Sequence, residues 1–256
     1  MKWPIKPGCE PLSHVAGASI GALVLHGFTG TPVSMRPVAD ALVASGIDVE
    51  LPRLPGHGTH IDDMVATQWA DWYGEVKRAY AALAARVDDV VVIGLSMGGT
   101  LALTAALEHR VLGVVAINPL VRDRGADIHE MIDELLADGF PFAPAGPSDI
   151  ADPDAYDPSY PESPLAPLKS LLCDGARPLA ERLTEGTVPL RLFTSRHDHV
   201  VDPADSEFLE AAWAGPVEHT WLERGYHVAT IDYDRELVAE GTVAFVLGLA
   251  ERSQVS

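Results

Sequence analysis

The segment Gly94-Leu95-Ser96-Met97-Gly98 has the residue types and spacing that nucleophilic catalysis requires. A serine hydroxyl is a poor nucleophile at neutral pH, so it needs a base beside it, donors that receive negative charge and a turn that exposes it. Such a turn brings the positions two before and two after the serine close to other backbone, and glycine at both positions permits it. The segment therefore predicts Ser96 as a nucleophile at the tip of a sharp turn.

The flanking sequence favours this interpretation over a simple loop. The β-branched run 90–93 predicts a buried strand before the turn, and the small apolar run 100–107 predicts a helix after it. The Met97 backbone N–H would then lie at the helix start, without an intrahelical partner, where it could bind an oxyanion. Two alternatives remain: a glycine-rich loop that only closes a strand, and a dinucleotide-binding loop, although the Gly-x-Gly-x-x-Gly spacing does not occur here.

An acid and a base follow Ser96 in the order that this chemistry requires. Asp198 comes just after the predicted strand 188–194, and His227 comes just after the predicted strand 217–222. When a serine nucleophile sits on a strand-to-helix turn, the chain order is serine, acid, histidine, with the partners on loops after strands. The alternatives are a turn-forming carboxylate for Asp198 and a hydrogen-bonded loop histidine for His227.

Three other carboxylates compete with Asp198 for the role of the acid. Asp202 and Asp205 come slightly late after the same strand. Asp123 follows the predicted strand 112–117, where some related folds carry their acid. These three residues stay as alternatives at this point.

A second oxyanion donor is expected in the loop after the predicted strand that ends at His26. Gly27 permits unusual backbone there, and the Phe28 N–H becomes the predicted partner of the Met97 N–H. Two such donors stabilise the negative charge of a tetrahedral intermediate. His26 itself is interpreted as a histidine that braces the loop.

The stretch 56–63 contains two histidines and two aspartates but does not have the spacing of a metal site. Zinc hydrolases use His-x-His or a helical His-x-x-x-His pattern, whereas His57 and His60 are three residues apart. We expect no metal and no cofactor, and we place this stretch on a loop near the rim of the site.

Composition and charge restrict the classes of partner. A chain of 256 residues suits one domain of the larger α/β kind. With 18 basic against 37 acidic side chains, the formal net charge is −19, which argues against nucleic acid or an anionic membrane as a partner. Polyanionic substrates would be repelled, whereas neutral small molecules would not.

The apolar stretches and the cysteines of the chain indicate its cellular compartment. No apolar stretch approaches membrane-spanning length, and residues 1–8 lack the apolar region of a secretory signal. The two cysteines, Cys9 and Cys173, lie far apart and predict reduced thiols. We therefore expect a cytoplasmic protein without stable membrane insertion.

Strand-like and helix-like segments alternate along the chain. Alternation of this kind predicts an α/β fold with a mostly parallel, doubly wound sheet covered on both faces. The remaining predicted strands are 21–26, 47–51 and 112–117, and the predicted helices are 35–44, 68–86, one beginning near Pro203, and 235–250.

The alternation breaks between Asn118 and Gly186, and prolines become dense from Pro141 to Pro178. We interpret residues 119–186 as an inserted cap segment on a single domain whose core is 1–118 and 187–256. Its predicted first helix carries an apolar stripe at helical spacing, which we expect to cover the nucleophile, with a helix packed on its own domain as the alternative. The residues predicted to contact substrate are Ile128, Met131, Ile132 and Leu135 of that stripe, and Ile150 in the segment 147–153.

Five blocks of sequence resemble the bacterial monoacylglycerol lipases and the related small carboxylesterases of the α/β-hydrolase superfamily. Their order and spacing along nearly the whole chain make the resemblance more specific than the serine turn alone. The blocks are Leu25-His26-Gly27-Phe28-Thr29-Gly30-Thr31-Pro32, Pro52-Arg53-Leu54-Pro55-Gly56-His57-Gly58-Thr59, Gly94-Leu95-Ser96-Met97-Gly98-Gly99, Ser195-Arg196-His197-Asp198-His199-Val200-Val201 and Tyr226-His227-Val228-Ala229-Thr230.

The resemblance implies the site residues that the spacing already indicated. Ser96 is the implied nucleophile, His227 the base and Asp198 its orienting acid, with Phe28 and Met97 forming the oxyanion hole. It further implies a small cap that admits one acyl chain and holds glycerol with polar residues. The expected function is cofactor-free hydrolysis of neutral esters with an apolar acyl chain, with monoacylglycerols favoured.

Other functions of the same fold stay open from sequence. They are a general carboxylesterase without glycerol preference, a carbon–carbon bond hydrolase or acyltransferase that uses the same triad, and a non-catalytic ligand-binding protein. A small-molecule ester is the expected partner, and the cap could contact a lipid surface transiently. Oligomeric state is not indicated by the sequence.

Overall fold

A seven-stranded sheet forms the centre of the molecule in the computed structural model, which describes residues 3–144 and 148–255. The described strands, of which β6 and β7 lie outside this sheet, are β1 (Leu12–His14), β2 (Ile20–Leu25), β3 (Asp48–Leu51), β4 (Asp89–Leu95), β5 (Gly113–Ile117), β6 (Phe142–Pro144), β7 (Glu162–Pro164), β8 (Leu190–Ser195) and β9 (Val217–Leu222). Their order in the central sheet is β1-β3-β2-β4-β5-β8-β9. Among the described strands of this central sheet, only the β1–β3 pair is antiparallel, so the predicted, mostly parallel sheet is confirmed.

Helices connect the strands and cover both faces of the sheet. They are α1 (Pro32–Ala44), α2 (Ile61–Val65), α3 (Trp69–Ala84), α4 (Met97–Glu108), α5 (Ala126–Ala137), α6 (Leu165–Ser170), α7 (Arg177–Arg182), α8 (Ala204–Ala212) and α9 (Arg235–Val255), with a π-helical turn (Leu171–Ala176) before α7 and a 3₁₀ turn (Leu183–Glu185) after it. The predicted strands and long helices occur with ends shifted by a few residues. The short elements β1, α2, β6 and β7 were not predicted, because segments this short show no hydrophobic periodicity.

The β4 strand shows why the sequence folds this way. Alternate side chains of a strand point to opposite faces, and the apolar run of β4 fills both. Val90 and Val92 pack in the cluster that contains α3 and α4, whereas Val91 and Ile93 pack in the cluster that contains α1 and α9. The strand that carries Ser96 at its end is therefore buried between two helical layers.

The cap segment (residues 119–186) lies between β5 and β8 in the chain. It contains α5, the antiparallel β6–β7 pair, α6, the π-helical turn and α7. Buried side chains such as Ile132, Leu165 and Leu179 join the same apolar cluster as α3 and α4, so this part packs on the core. Positions 145–147 of the segment, together with Met1, Lys2 and Ser256 at the chain ends, lie outside the described residues.

A bilayer demands a helix that is both long and apolar. Among the described residues, no helix combines enough length with enough apolar character to cross a membrane.

Candidate active site

Ser96 occupies a strained turn between β4 and α4. Its φ of 57° and ψ of −118° lie where non-glycine residues are uncommon. A Cβ on Gly94 would lie 1.9 Å from the carbonyl oxygen of Gly98, and one on Gly98 would lie 2.2 Å from that of Leu25. Both glycines are therefore required by close backbone approach, as the sequence predicted.

His227 and Asp198 form a hydrogen-bonded pair at the carboxyl end of the sheet. His227 Nδ1 lies 2.7 Å from Asp198 Oδ2, and the two side chains are 9% and 2% exposed. The other carboxylate oxygen, Oδ1, accepts the backbone N–H groups of Val200 and Val201, both at 2.8 Å. Because a carboxylate only accepts, the proton of His227 lies on Nδ1 and leaves Nε2 as the basic nitrogen.

The competing carboxylates are occupied elsewhere. Asp205 accepts the backbone N–H groups of Val121 and Arg122, and Asp202 accepts that of Ala204 at the start of α8. Asp123 pairs with His129, 2.6 Å from its Nε2. Among the described carboxylates, only Asp198 contacts the His227 ring.

A buried asparagine that the sequence did not single out connects the loops that follow β8 and β9. Asn118 Nδ2 donates to Ser195 Oγ at 3.0 Å and to the His227 carbonyl at 2.8 Å, while its Oδ1 accepts the Ser195 N–H at 2.7 Å. Ser195 Oγ donates in turn to the Tyr226 carbonyl at 2.7 Å. The ends of β5 and β8 and the His227 loop are thereby tied together. The sequence signal was a polar residue ending a buried strand, and its φ of 43° suits asparagine.

The cap segment is also attached to the His227 loop. Asp149 Oδ2 accepts the backbone N–H of His227 at 3.1 Å and that of His199 at 3.0 Å. Asp232 Oδ2, fully buried, accepts the N–H groups of Ala151 and Tyr226. These bonds position the histidine from both sides.

The two residues predicted to supply oxyanion donors are neighbours of Ser96, Met97 in the chain and Phe28 through the adjoining Gly27. Met97 is the first residue of α4, so its N–H has no intrahelical carbonyl partner. Phe28 lies on the loop after β2, where a Cβ on Gly27 would lie 3.4 Å from Ser96 Cβ. Tyr160 of the cap segment donates its backbone N–H to the Thr29 carbonyl at 3.1 Å and fixes that loop from outside.

Ser96, His227 and Phe28 line one cavity with a volume of about 350 Å³. Most of its wall is apolar, which suits a hydrocarbon chain. The main apolar contributors from the cap segment and the Asp198 loop are Leu120, Ile128, Leu168, Leu171, Leu172 and Val200.

Polar side chains form one cluster on that wall. Ser148 Oγ donates to Asp157 Oδ2 at 2.7 Å and lies 2.8 Å from Ser159 Oγ. Asp157 Oδ1 is buried and has no hydrogen-bond partner among the residues that the structure describes. A buried carboxylate oxygen without a donor is costly, so a hydroxyl that reached this atom would gain a strong hydrogen bond.

A model of the alpha/beta hydrolase family matches residues 22–240, which include all of these groups. The chain belongs to this family. Its seven-stranded sheet, strained serine turn and Asp–His pair at the strand ends agree with that membership.

Three relatives of this alpha/beta hydrolase are informative. A thermostable monoacylglycerol lipase of Bacillus sp. (strain H-257) is 37% identical over 251 residues, covering 95% of this chain and 96% of that protein. A carboxylesterase of Bacillus subtilis (strain 168) is 25% identical over 240 residues, covering 90% of this chain and 93% of that protein. A solved structure from work on LipS and LipT, two metagenome-derived lipolytic enzymes, is 36% identical with a TM-score of 0.85, covering 96% of this chain and 100% of that chain.

The apolar stripe of α5 differs from the sequence prediction. Ile128 lines the cavity, but the other predicted contacts are not part of its described wall. Ile132 is 1% exposed inside the core cluster, and Leu135 packs against that cluster. Met131 faces outward and is 47% exposed, while Ile150 packs on the opposite cluster with α1 and α9. The stripe mainly fastens α5 to the core, because only its first turn reaches the cavity.

His57 and His26 lie behind the loop that carries Phe28. His26 Nε2 accepts the Leu54 N–H at 3.1 Å, which confirms that it braces the loop. The two rings are 5.0 Å apart, and His57 also packs edge-on against Phe28 and Trp72. Burial lowers the pKa of His57 to about 4 and, together with the nearby His57, holds that of His26 well below its usual value. Both rings are neutral packing elements.

Proposed function

We propose that this alpha/beta hydrolase cleaves neutral carboxylic esters with an apolar acyl chain, and that monoacylglycerols are its favoured substrates. The observation that carries the proposal is a single cavity onto which Ser96 and His227 both open, with Asp198 behind His227. The named activities of the relatives, a monoacylglycerol lipase and a carboxylesterase, support ester hydrolysis.

The proposed reaction proceeds through an acyl-enzyme. His227 Nε2 takes the proton of Ser96 as its oxygen attacks the ester carbonyl, and Asp198 stabilises the imidazolium that forms. The backbone N–H groups of Phe28 and Met97 receive the developing negative charge, and losing one such donor costs about 10²- to 10³-fold in rate. His227 then protonates the leaving alcohol, and water releases the acid by the same steps.

The cavity wall supports a substrate with one acyl chain and a polyol. Leucines and valines would surround the chain, and burial of each methylene contributes about 0.8 kcal/mol. The polar cluster of Ser148, Asp157 and Ser159 offers acceptors to glycerol hydroxyls. We propose that residues 119–186 act in this way as the cap of a single domain with core 1–118 and 187–256.

We also propose a cytoplasmic location and no nucleic-acid partner. The two cysteines are unpaired, and the net charge of −19 opposes binding to phosphate backbones. A transient contact between the cap segment and a lipid surface fits substrates that partition into membranes.

The nucleophile is tested with a serine-directed fluorophosphonate. Wild-type protein is expected to gain one adduct at Ser96 and to lose ester hydrolysis, and Ser96→Ala is expected to take up no reagent and to lose about 10⁵-fold or more in kcat. Ester hydrolysis that persists in Ser96→Ala would exclude the proposed mechanism.

Substrate class is tested with a panel of monoacylglycerols, diacylglycerols and alkyl esters of matched chain length. Asp157→Asn is expected to lower the preference for monoacylglycerol over alkyl ester, as a ratio of kcat/KM, about tenfold, because a charged acceptor is lost. The matched control is Asp154→Asn, which changes a nearby exposed carboxylate. Equal rates on monoacylglycerols and alkyl esters in the wild type would favour a general carboxylesterase.

A further inference from the structure

A second nucleophile–histidine–carboxylate arrangement lies in the cap segment, apart from Ser96. Cys173 Sγ lies 3.6 Å from His129 Nδ1, and His129 Nε2 lies 2.6 Å from Asp123 Oδ1. Arg177 Nε donates to the other Asp123 oxygen at 2.9 Å. None of these four side chains has a part in the proposed ester cleavage.

The hydrogen bonds define where the proton of the His129 ring lies. Burial alone would raise the pKa of the Asp123 carboxyl, but hydrogen bonds from Arg177 and His129 outweigh it and hold the pKa below its usual value. The ionised carboxylate only accepts, and its 2.6 Å contact favours the ring proton on Nε2 over the longer, 3.1 Å contact of that nitrogen with the Arg177 guanidinium, which only donates. Nδ1 then carries the ring's lone pair, 3.6 Å from the Cys173 sulfur. A thiol beside a basic imidazole that a carboxylate orients is an activated nucleophile.

Access separates Cys173 from the other cysteine. Cys173 is partly exposed, whereas Cys9 is fully buried. Reactive cysteines are partly exposed and lie beside basic groups, and buried ones are inert. Cys173 also lies in the π-helical turn Leu171–Ala176, a backbone irregularity that is frequent at functional sites.

His129 and Cys173 are adjacent in sequence to residues that line the cavity beside Ser96. Ile128 lines the cavity and precedes His129, and Leu172 lines it and precedes Cys173. Because Cys173 is only partly exposed, part of any adduct must be accommodated where α5 meets the π-helical turn. Close-packed surroundings accept extra volume only by shifting, so the cavity wall at Ile128 and Leu172 would move.

We propose that Cys173 is a modification site for small uncharged disulfides, and that the mixed disulfide slows ester hydrolysis by moving this wall. His129 Nδ1 takes the thiol proton while the Cys173 sulfur attacks, so that one S–S bond forms and the reagent's S–S bond breaks. The sulfur of Cys173 is oxidised, the departing sulfur is reduced, and the leaving thiolate receives the proton from His129. An uncharged reagent is specified because the net charge of −19 repels anionic disulfides.

The test treats the folded protein with hydroxyethyl disulfide and follows adducts by peptide mass spectrometry. One adduct is expected at Cys173 and none at Cys9. The Cys9→Ser variant should be labelled like the wild type, and Cys173→Ser should not be labelled. His129→Gln should slow labelling about tenfold or more, because a positioned general base is lost. Asp123→Asn keeps the ring and should slow labelling less. Circular dichroism melting curves show whether each variant is folded.

Hydrolysis is measured before and after labelling. The effect on activity rests on the proposed function. After labelling, kcat/KM should fall about tenfold and return when dithiothreitol removes the adduct. The kcat/KM of Cys173→Ser should not change with the reagent. Adduct mapping needs no turnover, so a failure of the ester-hydrolase proposal would be distinguished from a failure of this one. If Cys173 is labelled no faster in the wild type than in folded His129→Gln, the activation by His129 is overturned. If the adduct keeps full activity, the coupling to the cavity is overturned.

Discussion

The Asp198–His227 and Asp123–His129 pairs have the same chemistry but different support. Their contacts are 2.7 and 2.6 Å long. His129 lies beside Cys173, and His227 lines the same cavity as Ser96. The free oxygen of Asp198 is held by two backbone N–H groups of its own loop, whereas the free oxygen of Asp123 is held by Arg177, whose side chain is 49% exposed. A single backbone N–H, that of Arg124, reaches the Asp123 oxygen that faces His129. Backbone donors are already fixed by the fold, while a long side chain loses rotamer entropy whenever it holds a carboxylate.

This difference indicates which pair is built for repeated turnover. The Asp198 carboxylate is 2% exposed and the Asp123 carboxylate 16% exposed, so water competes more for the second. Preorganised groups stabilise a developing charge without rearrangement during the reaction. The better-anchored pair therefore suits catalysis, and the other suits a slow, reversible modification.

The largest expected effect separates the two carboxylates. Asp198→Asn should lower kcat for ester hydrolysis about 10⁴-fold, because His227 loses the partner that fixes its tautomer. Asp123→Asn should leave kcat within about twofold, as expected for a change away from the reacting groups. Steady-state kinetics on one medium-chain ester measure both. A large loss in folded Asp123→Asn would mean that the two pairs are coupled.

His57, a histidine that has no carboxylate partner among the described residues, extends the comparison to the effect of pH on stability. His57 is neutral in the folded protein with a pKa of about 4, so below pH 6.5 the unfolded chain binds more protons than the folded one. Its contribution to the free energy of unfolding is complete above pH 6.5 and falls as the pH drops towards 4. Between pH 7.5 and pH 5 the loss is about 2 kcal/mol.

Urea unfolding at the two pH values measures this effect. The folded His57→Gln variant should show about 2 kcal/mol less change with pH than the wild type. The matched control is His60→Gln, since the His60 side chain is 48% exposed. An unchanged pH dependence in His57→Gln would show that other groups cause the acid sensitivity.

A smaller effect is expected at Asn118, which ties the Ser195 and His227 loops together. Asn118→Gly removes three hydrogen bonds but tolerates the φ of 43°, so the backbone is not additionally strained. We expect kcat to fall about tenfold with KM nearly unchanged, because the His227 loop is less well positioned. Asn118→Ala, which adds strain, should be less stable at the same kcat. A rise in KM alone would contradict a positioning role.

The smallest effect concerns the helix that carries His129. Ile128→Ala should raise KM for a long-chain ester about threefold to tenfold, because apolar contact area is lost. Met131→Ala removes a similar volume from the exposed face and should leave KM unchanged. Equal effects of the two substitutions would show that α5 moves during catalysis.

Sequence reasoning succeeded where a role depends on a short contiguous pattern. Gly94 is required by backbone contacts within a few residues, and Gly98, which is required by the backbone of Leu25, belongs to the same five-residue pattern, so the turn is readable from the sequence alone. It failed for the apolar stripe of α5, because helical spacing shows that a face is buried and not what it is buried against. It also missed Asn118, whose three partners come from segments more than 70 residues away.

The sequence by itself determined the order of strands and helices, the strained serine turn and the loops that carry Asp198 and His227. These features follow from local periodicity and from residues that tolerate unusual backbone. Only the tertiary structure decided which carboxylate faces His227, which residues line the cavity and that Cys173 lies beside His129. The physical reason is that these contacts join distant segments, and their geometry depends on how the cap segment packs against the sheet.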